Sequence, residues 1–212
     1  MRSLFAAAAL FAAPALVSPA AAQASFGLKA GLNTSFFSGD DAGTSGTAIG
    51  ETQPRLGLVG GVTARFDVNP GFALQAEALY SQKGDVLNAP EAAGGDLVTR
   101  LDYLEVPVTA RLGSRLGQTL DGGVSLGGYA AFPLRARVTD DLGEVDDIDA
   151  RTDYGLVLGL DAGSGPYYVE GRYSLGLAKP IEFDSVLGED PDLKNQAVSL
   201  TFGVRFGGPR IY

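Results

Sequence analysis

Charged side chains in this chain recur in step with its apolar ones, two residues apart, among glycine, serine and threonine. Lys29, Arg55, Arg65, Glu77, Lys83, Glu105, Arg111, Arg135, Arg137, Arg151, Asp153, Asp161, Glu170, Arg172 and Arg205 all follow that rule. Charges so arranged on one face have three uses: proton transfer by paired acids, an ion path, or mutual neutralisation. The 212 residues contain no His and no Cys. The commonest general base is therefore absent, together with thiol nucleophiles, zinc–thiolate sites and disulfides. Nothing in the pattern sets two acids in a cleft, so we expect no enzyme and no cofactor. A net charge of −9 argues against a nucleic-acid partner, which needs a basic face. A second acidic group, Asp140, Asp141, Glu144, Asp146, Asp147 and Asp149, offers oxygens of the kind that bind Ca²⁺. It lacks the spacing and closing bidentate Glu of an EF-hand loop, so a solvated, self-repelling surface is the preferred reading and no metal site is firmly expected.

The elements that position these residues read as strands. Apolar residues alternate with polar or glycine positions over eight runs: 26–36, 55–66, 72–83, 104–112, 124–138, 151–162, 167–178 and 197–206. Connections after the even runs are tight, as at Asn69-Pro70-Gly71, Gly113 to Gly123 and Gly163 to Pro166. Those after the odd runs, 37–54, 84–97, 139–150 and 179–196, are long. Short and long connections in alternation are what an up-and-down barrel with two unlike ends requires.

Parity assigns the faces. One carries Leu28, Leu32, Leu58, Val62, Leu74, Val106, Val108, Leu126, Leu158, Leu200 and their neighbours, with no charge within the runs. The other carries every charge named above. A soluble ligand carrier would turn the apolar set inward, whereas a membrane barrel would turn it outward. Phe26, Phe66, Phe72, Tyr167 and Phe206 lie on the apolar face near the tight turns, and Phe36, Tyr80 and Tyr154 lie on it near the long loops. Two aromatic girdles around an aliphatic belt favour the membrane. The runs also reach the roughly 9–11 residues that a tilted crossing needs. Lys29, Glu77, Glu105, Glu170 and Arg172 fall at middle depth, with Arg65, Arg111, Asp161 and Arg205 nearer the tight-turn end. In so narrow a barrel such charges are expected to pair and plug the lumen rather than line a channel.

Residues 1–22 read as an export signal: Arg2, an apolar stretch from Leu4 to Val17, and small residues allowing cleavage after Ala22 or Ala24. The barrel domain is then 23–212.

Several pieces of the chain together resemble the PorT-like outer-membrane β-barrel family. They are Gly27-x-Lys29-x-Gly31-x-Asn33 with Phe36 and Gly39-Asp40-Asp41, then Leu79-Tyr80-Ser81-Gln82-Lys83-Gly84 and Tyr103-Leu104-Glu105-Val106-Pro107. Asp153-x-Gly155, Gly171-Arg172-Tyr173-x-Leu175-Gly176-Leu177 and Phe202-Gly203-x-Arg205-Phe206 complete the set. The resemblance implies an OmpA/OmpX-type eight-stranded barrel in the outer membrane of a Gram-negative cell. Its partners would be the lipid bilayer and, during biogenesis, the barrel-assembly machinery, and the protein is expected to be a monomer with both termini periplasmic. The resemblance implies little about activity; the plugged lumen and acidic loops lead us to expect a structural or surface-interaction role, with a transport or secretion-accessory role, suggested by the PorT association, as the alternative. The family's closing aromatic is matched by Phe206 or by Tyr212.

Overall fold

The computed structural model describes residues 23–38, 51–88, 97–140, 143–147, 152–178 and 194–207. The expected signal segment and Tyr212 lie outside the described residues.

Period-two alternation commits the backbone to strands, because only there do successive side chains point to opposite faces. The strands are β1 (Gln23–Ser38), β2 (Glu51–Asn69), β3 (Phe72–Asn88), β4 (Leu97–Arg115), β5 (Leu120–Asp140), β6 (Gly143–Asp147), β7 (Asp153–Ser164), β8 (Tyr167–Gly176) and β9 (Lys194–Gly207). Neighbours in the chain pair antiparallel from β1 to β5, β5 pairs with β7, and β7 leads through β8 to β9. The ring closes between β1 and β9, from Ser25 opposite Gly207 to Ser38 opposite Lys194. The result is an eight-stranded antiparallel barrel, with β6 as a short addition at one rim. An even number of strands lets the first and last pair antiparallel, and closure removes the unpaired edges that lipid could not solvate. The turn between β2 and β3 is held by Asn69, whose Oδ1 accepts a hydrogen bond from the Gly71 amide at 2.9 Å.

The faces separate as the pattern requires of a membrane barrel. Leu28, Leu74, Val108, Leu126, Leu158 and Leu200 point outward with 45–63% exposure, while Lys29, Glu77, Glu170 and Arg172 are at most 7% exposed. This excludes the soluble carrier with a greasy lumen. At the tight-turn rim Phe26 pairs with Phe206, and the Tyr167 and Phe202 rings stack at 5.9 Å. Tyr80 and Tyr154 stand exposed toward the other rim, and the Phe36 side chain lies outside the described residues.

Two expectations need correction. The stretch 139–150, read as a loop, contains β6, which pairs Arg137 with Asp147 and Asp140 with Gly143. Likewise β3 runs on to Asn88 and β4 begins at Leu97. Above the lipid a strand needs backbone pairing but no apolar alternation, so hydrophobic periodicity under-reads its length. Parity assigns Arg135 and Arg137 to the lumen face, and the structure turns them outward. A bulge, with Asp102 opposite Arg135 but Tyr103 opposite Pro133, adds one residue to β5. Leu134 and Arg135 are both exposed beyond it, Arg137 is half-buried, and Ala136 takes the inward position. One inserted residue reverses facing for the rest of a strand.

A closed barrel of this kind resists detergent until heated. Membrane fractions loaded unboiled are expected to give a faster-migrating band that shifts upward on boiling. A single position regardless of heating would contradict the fold.

Candidate functional site

Among the described residues, chemistry-bearing side chains converge in the polar lumen, which has three levels. At mid-depth Lys29 on β1, Glu77 on β3, and Glu170 and Arg172 on β8 form a closed quartet. Lys29 Nζ lies 2.8 Å from Glu77 Oε2 and 3.3 Å from Glu170 Oε2. Arg172 grips Glu77 through Nη1 and Nη2, both at 2.8 Å, and its Nη2 also lies 2.6 Å from Glu170 Oε1. Glu170 and Arg172 share a face because they are two apart on one strand. Gln75 Nε2 completes the shell by donating to Glu77 Oε1 at 2.5 Å. Two cations and two anions cancel, and the bidentate Arg–carboxylate geometry offsets part of the desolvation of all four groups.

Toward the tight turns, Arg111 donates to both Asp161 oxygens at 2.7 and 2.5 Å and lies 3.3 Å from Asp121. Arg205 stands 3.8 Å from the same Asp161 and stacks its guanidinium 4.2 Å from the Tyr168 ring centroid. Arg65 pairs with Asp67 at 2.7 Å. Glycine makes the room: a Cβ on Gly123 would sit 2.5 Å from Arg111 Cζ, and one on Gly203 would sit 2.2 Å from Tyr168 Cζ.

The third level, toward the long loops, was not singled out from the sequence as a group. Lys83 pairs with Glu105. Its ammonium lies 4.8 Å from the Tyr129 ring centroid and 5.7 Å from that of Tyr103. The Tyr129 hydroxyl donates to Asp153 Oδ2 at 2.9 Å, and Asp153 is fully buried. Glu105 thus belongs with Lys83 in a separate step rather than with the mid-depth set. Tyr103 sits two positions from Glu105, and Tyr129 lies out of phase with Gly128 and Ala130, so parity could have found both. Between the two upper levels lies a cavity of about 10 Å³, bordered by Lys29, Arg172, Lys83 and Glu105.

Of the acidic group read as a weak cation site, Asp140, Glu144, Asp146 and Asp147 fall on the backbone of β5 and β6. Their side chains, and Asp141 and Asp149 altogether, lie outside the described residues. Among the described residues no group of three acids is placed to hold a metal ion.

A closed sheet with an aliphatic skin and an ionic axis suits a protein solvated by lipid, and the family comparison agrees. A model of the outer membrane protein beta-barrel domain matches residues 18–182. The chain belongs to that family. Its place is the outer membrane. Among solved structures it is similar to neisserial surface protein A, with a TM-score of 0.51 and 13% identity over 85% of this chain and 97% of that one. It is similar to OprG of Pseudomonas aeruginosa, with a TM-score of 0.51 and 13% identity over 89% and 98% of the two chains. The Ail protein of Yersinia pestis gives a TM-score of 0.43 and 15% identity over 87% and 99%. No curated protein sequence matches the chain. At these identities the first two likenesses concern the barrel fold alone.

Glu77 touches both cations of the quartet, so removing it strands them. Glu77→Ala is expected to lower stability by about 3–5 kcal/mol in urea titrations of the vesicle-inserted barrel. Glu77→Ala combined with Lys29→Met should recover part of that loss, because one stranded charge is removed with its partner. Additive losses would contradict the coupling.

Proposed function

We propose that this outer-membrane barrel is a plugged scaffold whose working surface is its long loops, in a structural or surface-interaction role. The observation that carries this reading is the crowding of ionic side chains across the lumen among the described residues. The quartet neutralises itself across the lumen, and the cavity above it, about 10 Å³, has room for roughly one water. Eight strands enclose only enough space for side chains, unlike the open lumen of the larger porins. Under this reading the barrel performs no reaction, and its paired charges serve packing rather than proton transfer. Residues 1–22 direct export and are removed, the barrel-assembly machinery inserts the chain, and the barrel works as a monomer. The tight turns face the periplasm and the acidic long loops face outward, as in outer-membrane barrels generally. Acid in those loops, including Asp40, Asp41, Glu182, Asp184, Glu189, Asp190 and Asp192, favours contact with cationic or cation-bridged surfaces over anionic ones.

A second reading, a transport or secretion-accessory barrel, rests on association with the PorT-like resemblance alone. Planar bilayers distinguish the two. The scaffold predicts current indistinguishable from bare lipid after insertion. Reproducible single-channel steps would overturn it in favour of transport.

A further inference from the structure

The bulge in β5 does more than move two arginines out of the lumen. Beyond it, the outward face of β4 and β5 becomes basic just where the apolar belt ends. Tyr80, Leu104 and Phe132 lie in one register row across β3, β4 and β5. Two positions further along β4 the row is Gln82, Asp102 and Arg135, and four positions further it is Gly84, Arg100 and Arg137. Leu101 and Tyr103 are buried on the inward side of β4, so Arg100 and Asp102 face out. Arg100 and Arg135 are exposed, and among the described residues neither side chain has a hydrogen-bond or ion-pair partner. Arg55, assigned to the lumen face by parity, lies at an irregularity in β2 between Pro54 and Val59. Its Nη1 donates to the Lys83 carbonyl at 2.8 Å, and it is an electrostatic neighbour of Arg100, Asp102 and the outward Tyr80, adding a further guanidinium. Asp102 is the acid in these rows, so the patch is net positive on a protein whose formal charge is −9.

The height of the patch matters. At about 3.3 Å per residue and a tilt near 40°, two and four residues beyond the aromatic row lie roughly 5 and 10 Å further along the bilayer normal. The nearer row, with Arg135, lies in the headgroup layer, which adds about 5–7 Å to the hydrocarbon on each side, and the farther row, with Arg100, lies just above it, where a long side chain can bend back to the phosphates. Guanidinium groups there meet lipid phosphates, which they bind through paired N–H donors. Hydrocarbon would exclude these arginines, and a site meant for loops alone would not need them on the lipid-facing side of the wall.

We propose that Arg100 and Arg135, supported by Arg55, form a docking site for phosphate-bearing lipid headgroups in the leaflet at the long-loop rim. The site fixes the depth of the β4–β5 wall and retains anionic lipid against it.

The test uses the full barrel in phosphatidylcholine vesicles containing spin-labelled phosphatidic acid, with motional restriction of the label read by electron paramagnetic resonance. The unaltered protein is expected to prefer phosphatidic acid over spin-labelled phosphatidylcholine by about fivefold per arginine at low salt. Arg100→Gln with Arg135→Gln should bring that preference close to unity. Arg100→Lys with Arg135→Lys should keep much of it, and Arg115→Gln at the opposite rim should leave it unchanged. All variants should still show the heat-shifted band, which separates loss of binding from loss of folding. Equal preference in the unaltered and double-Gln proteins would overturn the proposal, as would an equal loss in Arg115→Gln. Complete displacement of the labelled lipid by millimolar inorganic phosphate would also overturn it, since the site would then be one for a free ion.

Discussion

Glu77 cannot be ionised in this lumen alone. It sits 1% exposed inside a wall whose far side is lipid, and only the combined presence of Lys29 and Arg172 makes a carboxylate tolerable there. The same demand runs in the other direction, because neither cation could be buried without the acid. The quartet therefore ties β1, β3 and β8 together across the axis through charge alone. Glycine and serine on the lumen face follow from it, since long ionic side chains from three directions leave no volume for more. The aliphatic exterior follows as well: with the polar groups consumed inside, the outward positions are free to match the solvent that the sheet meets, which is hydrocarbon.

The fold was legible in the sequence because a half-buried strand in lipid obeys the same period of two as one in water, with the sides exchanged. Leu74 and Glu77, three apart on β3, had to face opposite ways, and the rim placement of Phe26, Phe206 and Tyr154 said which way was out. What stayed illegible lies where that alternation stops mattering. Above the aromatic row β3 and β4 continue on backbone pairing, so 84–97 reads as loop and 98–103 falls outside the alternating run, although Leu101 and Tyr103 are among the most buried of the described residues. A bulge leaves almost no trace in composition, and the reversal at Arg135 could not have been counted from residue types.

The lumen was legible as a set of charges but not as pairs. Parity put Lys29, Glu77, Glu170 and Arg172 on one face, and the antiparallel order put them at one depth, yet which acid meets which base depends on register around the ring. Glu105 illustrates this: it looked like a member of the mid-depth set and instead meets Lys83, between the Tyr103 and Tyr129 rings. Asp161 likewise serves two arginines from strands far apart in the chain.

Inverted amphipathicity is the claim on which all of this rests, and β9 tests it residue by residue. The chain has no Cys, so nitroxide labels can be placed singly at 198 through 203 in the vesicle-inserted protein. Collision rates with oxygen, which concentrates in lipid, should be high at Val198, Leu200 and Phe202 and low at Ser199, Thr201 and Gly203. The opposite phase, or no alternation, would contradict a lipid-facing apolar wall around an ionic axis.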